Sequence, residues 1–383
     1  MSAVPSSNLI EEYLAECRAF VLDELRALVP ARSRYGPELY DLMLDYPLRA
    51  AKGLRPAVCI ATCRCLGGTL EGVLKSAATL ELYHNAFLIH DDVEDGSEKR
   101  RDEPTLHRLH GVPVAVNVGD GMLALALTPL LENTRLLGLG KALAILQCVS
   151  RMARESAEGQ ALELSWIHGA RFLVREHDYF RMVHKKTSWY SFIAPMRIGG
   201  LVANVEESRL RLLGTIAALL GVAFQIQDDI LNLTAEERAY GKELGGDLWE
   251  GKHTLILAHA LATCSAADRE RALGVLRKPR PRATGQSTLS AEIRSLRAEG
   301  VLDDAAFSRL EPLLAEPAPE KTPDDVAFLA RLVERQGSIA YAQRAAAVRA
   351  RRASRLLAQL TRAPSVHLRF LQLLSEFVTS RAR

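Results

Sequence analysis

The chain has 383 residues, and 48% of them are hydrophobic, enough apolar material for a substantial buried core. Its 49 basic residues stand against 46 acidic ones, leaving a net charge of +3 and no arginine-rich tail. That balance argues against nucleic acid as a partner. The opening MSAVPSSNLIEEYLAE has no basic segment leading into an apolar one, so a secretory signal is not expected and a cytoplasmic setting is.

Leu, Ala, Glu and Arg dominate, apolar residues recur at three- and four-residue steps, and strand-like alternation is scarce. The pattern predicts an all-α fold, with helices over about 7–29, 36–48, 54–66, 70–95, 110–132, 138–168, 175–202, 206–233, 251–263, 323–336, 338–361 and 365–380. Breaks at Gly67-Gly68, Gly138 and Gly199-Gly200 read as turns or close helix contacts. The longest apolar run, Leu212 to Ile226, is interrupted by Thr215 and Gln225 and is short for a bilayer span. A buried helix is expected there, and no transmembrane segment. Cysteines at 17, 59, 63, 65, 148 and 264 lack paired zinc-ligand spacing and read as buried thiols in a reducing compartment.

One region departs from this pattern. From Lys278 to Thr322 the composition turns to Pro, Arg, Ser and Glu around a modest helical stretch, Ser290 to Glu311. It reads as a loop-like surface insertion at 278–322 in a single helical domain spanning 1–383. Asp324-Asp325, just beyond Pro323, reads as a helix cap.

Two acidic stretches carry the chemistry. Asp91-Asp92-Val93-Glu94-Asp95 and Asp228-Asp229-Ile230-Leu231-Asn232 both follow strongly apolar helical runs, where uncompensated charge is expensive. Each opens on paired Asp residues and carries another oxygen-bearing residue four positions on, so each presents a fan of oxygens on one helix face. His84 shares the face of Asp91 and Asp95, and Gln225 shares that of Asp228. Two such fans facing each other suit hard divalent cations, which would in turn hold a phosphate-rich ligand. Basic residues gather nearby: Lys52 and Arg55, Arg100 and Arg101, Lys185 and Lys186, and Lys242 and Lys252. Together they suggest two diphosphates, one metal-bound and one held directly by Arg and Lys.

In order, the motifs KGLRP, HNAFLIHDDVED, RRDEPT, GQALEL, KKTSWY, FQIQDDILN and GKELGGDLWEGKHT resemble those of the trans-isoprenyl diphosphate synthase (polyprenyl synthetase) family. The resemblance runs through most of 10–275 and resumes near 323–380. It implies antiparallel helices around a deep central cavity, usually in a homodimer. By the same resemblance Asp91, Asp95 and Asp228 would ligate three Mg²⁺ ions on an allylic diphosphate, supported by Asp92 and Asp229. Arg100, Lys186 and Lys242 would neutralise that diphosphate, with Lys252 as a further substrate-binding residue. Lys52, Arg55, His84 and Arg101 would bind isopentenyl diphosphate, and Thr187 and Gln225 would stabilise the reacting region. The implied reaction is metal-assisted ionisation of the allylic C–O bond followed by attack of the isopentenyl double bond.

Three positions depart from the family pattern. Asn232 ends the second stretch where many relatives have Asp, Gly53 stands where an Arg is usual, and Asp102 replaces a frequent Gly. Ala86 and Phe87 lie about one turn before Asp91, where a growing tail would descend. By resemblance this pairing is most like a geranylgeranyl diphosphate synthase, making a C20 product, with C15 farnesyl diphosphate as the alternative. A class I terpene cyclase would offer NDxxSxxxE in place of FQIQDDILN. A non-catalytic partner subunit would be expected to lose its acidic ligands.

Overall fold

A computed structural model describes residues 6–30, 36–168, 175–234, 245–280, 285–310, 320–360 and 363–380. Helix α1 (Ser6–Leu28) is followed by a π-helical turn (Gly36–Tyr40), α2 (Asp41–Leu48), α3 (Leu54–Cys65) and the long α4 (Leu70–Asp95). A minimal antiparallel hairpin, β1 (Lys99–Arg100) and β2 (Glu103–Pro104), leads to α5 (Leu106–His110), α6 (Val112–Leu125), α7 (Leu127–Leu136) and α8 (Leu139–His168). Next come α9 (Glu176–Val183), a π-helical stretch (His184–Ile193), α10 (Ala194–Val202) and α11 (Glu207–Thr234). The remainder is α12 (Gly246–Glu250), α13 (Leu255–Thr263), α14 (Ala266–Leu276), α15 (Gly285–Ala298), α16 (Asp304–Leu310), α17 (Pro323–Arg335), α18 (Ser338–Leu360) and α19 (Val366–Ser380).

Helices α4 and α11 form the middle of the bundle. Ser76 through Leu82 of α4 are buried without interruption, so this helix has no solvent face along that length. Its start is set by Thr69, whose hydroxyl accepts the Gly72 N–H at 3.1 Å, and its end by Gly96 at φ 63°. The helix therefore ends at Asp95. The apolar run of α11 is buried as expected, from Leu213 and Ile216 through Ile226. Helix α11 packs on α18 and the π-helical stretch, and α4 packs on α3 and α6.

Several boundaries differ from expectation, each for a local reason. The helix expected over 110–132 breaks at Ala126, because Pro129 in the following turn has no N–H to continue the hydrogen-bond ladder. The stretch 175–202 is continuous but π-helical in its middle. Helix α13 starts at Leu255 rather than near 251, where the Thr254 hydroxyl caps Leu257 N–H at 3.2 Å. Short helices α12 and α14 and the hairpin were not expected. Within 278–322, α15 and α16 replace the loop and the helix expected at Ser290 to Glu311; the Arg297 guanidinium lies 4.1 Å from the Phe307 ring centroid. Thr322, not the Asp pair, is the N-cap of α17, and Asp325 completes a reciprocal capping box with it.

All six cysteines are buried and unpaired, and burial pushes the Cys63 and Cys65 thiols up to about 12. Two stretches, Val112–Leu136 and Glu207–Thr234, have the length and apolarity of a membrane span. The first is α6 and α7 with the break between them, and the second is the central α11. Along α6 to α8, Val116, Leu127, Leu131, Leu139, Leu143 and Leu146 are exposed.

Candidate active site

The last turns of α4 and α11 line one cavity of about 660 Å³, together with the π-helical stretch, the β1–β2 hairpin and α12. Asp91, Asp228, Asp229, Lys186, Thr187, Gln225, Arg55, His84, Arg100, Arg101 and Lys252 all line it. Lys52, Asp92, Asp95, Ala86 and Phe87 do not, and Lys242 lies outside the described residues.

The paired aspartates divide in the first stretch, whereas both members of the second line the cavity. Adjacent helical residues point about 100° apart, so the two members of a pair meet different surroundings. Asp91 faces the cavity, held by Lys186 Nζ and Gln160 Nε2, each at 3.2 Å. Asp92 is fully buried instead, accepting the Tyr46 hydroxyl at 2.7 Å and the Arg100 guanidinium. In the second stretch Asp229 accepts the Tyr179 hydroxyl at 2.7 Å and Gln225 Nε2 at 2.8 Å. Burial and the nearby Asp247 charge hold the Asp229 carboxyl well above the usual carboxylate range. Asp95, one turn beyond Asp91, is paired with Lys252 Nζ at 3.0 Å; burial and the Asp91 charge push it up to about 6.

Lys186 and Thr187 reach the cavity because the π-helical stretch is clamped closely on both sides. A Cβ on Gly159 of α8 would lie 2.2 Å from the Lys186 nitrogen, and one on Gly221 of α11 would lie 2.6 Å from Ser188. Only glycine permits these approaches. Lys186 also pairs with Glu163, and the Thr187 hydroxyl donates to Gln225 Oε1 at 2.8 Å. Thr187, Gln225 and Asp229 thus form a hydrogen-bonded chain that fixes the orientation of each.

On the opposite wall Arg55 donates to His84 Nε2 at 3.0 Å and to Ser191 Oγ at 2.9 Å, and lies 4.5 Å from the Tyr190 ring centroid. Arginine can only donate, so His84 Nε2 accepts and the ring proton sits on Nδ1. Burial and the Arg55 charge hold His84 well below its ordinary value, hence neutral. Its Nδ1 is buried without a hydrogen-bond partner among the described residues. Lys52 sits apart from the cavity lining, 5.4 Å from the Phe377 ring centroid. Arg100, expected to face a diphosphate, is committed to Asp92 although it still borders the cavity.

The departures take definite structural form. Gly53 has φ 61° and caps α3 beside Arg18, a backbone conformation that favours glycine. Asn232 Oδ1 accepts the Asp247 N–H at 3.1 Å and its carbonyl accepts Gly245 N–H at 2.8 Å, so it ties α11 to α12. Arg101 and Asp102 form the two-residue hairpin turn with φ 55° and 66°, the pair of positive values such a turn needs. Arg101 is anchored there by a 2.6 Å bond from Nη1 to the Tyr46 carbonyl. Asp102→Gly is expected to raise stability by up to about 1 kcal/mol by relieving the left-handed backbone. It should also lower the KM for an anionic substrate by removing a carboxylate from the cavity wall. A urea midpoint that falls, with KM unmoved, would contradict both.

Sequence reasoning missed Tyr46, Tyr179, Gln160, Glu163, Asp247 and Glu250. Gln160 and Glu163 lie three apart within GQALEL and so share a face of α8, a signal that was available. Ala86 is fully buried, and Phe87 packs edge-on against Tyr83 and Tyr190, with ring centroids 5.8 and 5.7 Å apart.

Central helices ending in acidic turns over a cation-lined cavity place the molecule in the isoprenoid-synthase class of all-helical enzymes. Residues 37–290 match the polyprenyl synthetase family, and the chain belongs to that family. It is 34% identical over 267 residues to a short chain isoprenyl diphosphate synthase of Methanothermobacter thermautotrophicus, covering 67% of this chain and 80% of that one. Among solved structures it is similar to geranylgeranyl pyrophosphate synthetase from Pyrococcus horikoshii, with TM-score 0.77 and 27% identity, covering 97% of this chain and 99% of that one. It is also similar to a polyprenyl synthase from Caulobacter crescentus complexed with calcium and isoprenyl diphosphate, with TM-score 0.75 and 25% identity over the whole of both chains. The protein is an enzyme, a head-to-tail trans-prenyltransferase.

Proposed function

We propose that this enzyme condenses isopentenyl diphosphate with an allylic diphosphate, using Mg²⁺, and makes geranylgeranyl diphosphate. The observation that carries the reading is the pairing of two acidic helix ends with a neutral His84 that offers an unpartnered N–H beside Arg55. Asp91, Asp95 and Asp228 are the residues proposed to hold the ions, three in number. Among the described residues no three His, Cys, Asp or Glu side chains are grouped closely enough to hold an ion alone. That fits Mg²⁺, which commonly takes one or two carboxylates and fills its sphere with substrate oxygens and water. When bound, the ions offset the charge that develops on the departing diphosphate.

The side chains of the enzyme do the remaining work. Lys186 and Lys252, now paired with carboxylates, supply ammonium groups to the allylic diphosphate, with Lys242 and Arg100 adding positive charge. Arg55, His84, Arg101 and Lys52 bind isopentenyl diphosphate. Thr187 and Gln225 present oriented dipoles to the reacting carbons, backed by Asp229, while Asp92 holds the first acidic turn in place. Leu88, Met182 and Phe224 in the cavity wall keep water from the allylic cation.

Ala86 and Phe87 are proposed to set product length, Phe87 by backing the Tyr190 ring that lines the cavity. The exposed leucines of α6 to α8 support a homodimer, because an apolar face of that extent is normally covered; a monomeric mass by light scattering would remove this part. Buried, unpaired thiols suit the cytoplasm.

The test is incubation of purified protein with Mg²⁺, isopentenyl diphosphate and C5, C10 or C15 allylic primers, with products identified by mass after dephosphorylation. A C20 product is expected. C15 or longer products would keep the chemistry and overturn the length assignment, and no elongation by folded protein would favour a non-catalytic partner subunit. Phe87→Ala is expected to lengthen the product; an unchanged product would free Phe87 of this role.

A further inference from the structure

The excursion at 278–322 joins the cavity wall at both of its ends. At its start Arg280, which lines the cavity, pairs through Nη1 with Glu250 Oε1 at 3.3 Å. At its close Lys321 is 2% exposed and donates from Nζ to the Trp249 carbonyl at 2.7 Å. The ends are tied to each other by Lys321 N–H to the Pro279 carbonyl at 2.9 Å, and Lys278 Nζ reaches Asp325 at 2.7 Å. Both therefore grip Trp249–Glu250, which only Gly251 separates from Lys252.

Lys252 sits between two carboxylates, Glu250 Oε2 at 2.9 Å and Asp95 Oδ2 at 3.0 Å. The ammonium has three donors and can reach a diphosphate while near both, but its charge serves that anion most fully as it turns away from one of them. Leaving a largely buried carboxylate uncompensated is costly. Glu250 escapes that cost because Arg280 stays with it.

We propose that Arg280 and Lys321 are positioning residues, with Arg280 compensating Glu250 so that Lys252 is released to the substrate diphosphate and Lys321 holding the Trp249–Lys252 segment against the cavity. This rests on the diphosphate reading of the cavity above. The excursion then acts as a brace on the catalytic wall.

The test uses the full chain and calorimetric binding of inorganic pyrophosphate with Mg²⁺, alongside KM and kcat for the allylic substrate. Arg280→Ala is expected to weaken pyrophosphate binding about tenfold, the scale of one charge-assisted contact, and to raise KM more than it lowers kcat. Arg280→Lys should recover part of the loss. Adding Glu250→Gln to Arg280→Ala should restore binding, since the carboxylate that would otherwise retain Lys252 is gone. Lys321→Met should weaken binding in a way that Glu250→Gln does not rescue. A double variant no better than Arg280→Ala, or an Arg280→Ala protein that binds like the unaltered one, overturns the proposal. Should Arg280→Ala fail to fold, Glu250→Gln alone decides: binding at least as tight as the unaltered protein supports the brace, and weaker binding overturns it. Failure of the unaltered protein to bind Mg²⁺ pyrophosphate would instead overturn the diphosphate reading, and the brace with it.

Discussion

Asp91→Ala is expected to lower kcat by about three orders of magnitude while leaving the protein folded. The carboxylate faces the cavity, and its partners do not depend on it. Lys186 keeps Glu163, and Gln160 keeps Glu94, so no buried charge is stranded. The loss should therefore appear in turnover rather than in thermal midpoint, because in the proposed role the missing oxygen would support an ion whose effect grows as the C–O bond breaks. Steady-state turnover with labelled isopentenyl diphosphate and a calorimetric scan check the two halves separately. A loss below tenfold would take Asp91 out of the metal set.

Arg100→Gln is expected to cost about 3–5 kcal/mol of stability, the scale of a buried ion pair broken on one side. The Asp92 side chain is 1% exposed and that of Arg100 10% exposed, so water does not replace the lost partner. The Tyr46 hydroxyl remains and places the effect toward the lower end of that range. Pairing the change with Asp92→Asn should recover much of the loss, since the stranded charge is then removed. Urea unfolding of the single and double variants measures the coupling. A single-variant loss under about 1 kcal/mol would mean the pair is solvated and contributes little to the fold.

The acidic turns were legible because they break a rule: charged residues follow apolar runs, and that juxtaposition needs only local sequence. The order of motifs carried the family for the same reason. What each carboxylate touches was not legible. Tyr46 and Tyr179 lie on α2 and α9, and nothing in their local sequence marks them as donors to Asp92 and Asp229. The pairing of Arg100 with Asp92 was not legible, because the Arg100-Arg101 pair carries no local sign of an acidic partner brought close by a hairpin. Pro129 did mark a helix break, but the apolar periodicity on both sides hid it. In the excursion, Pro-rich composition concealed Arg280 and Lys321, whose surroundings depend on how α12 returns to the bundle.

The division of labour within the first aspartate pair bears on how the enzyme tolerates change. Asp91 faces the cavity, where a longer acid can be accommodated with some adjustment. At Asp92 the carboxylate is packed against the Tyr46 hydroxyl and the Arg100 guanidinium inside the bundle, and an added methylene has nowhere to go. A Glu substitution that conserves charge is therefore not conservative there. In a library selected for activity, position 92 should be less permissive than position 91, restricted by volume rather than by chemistry.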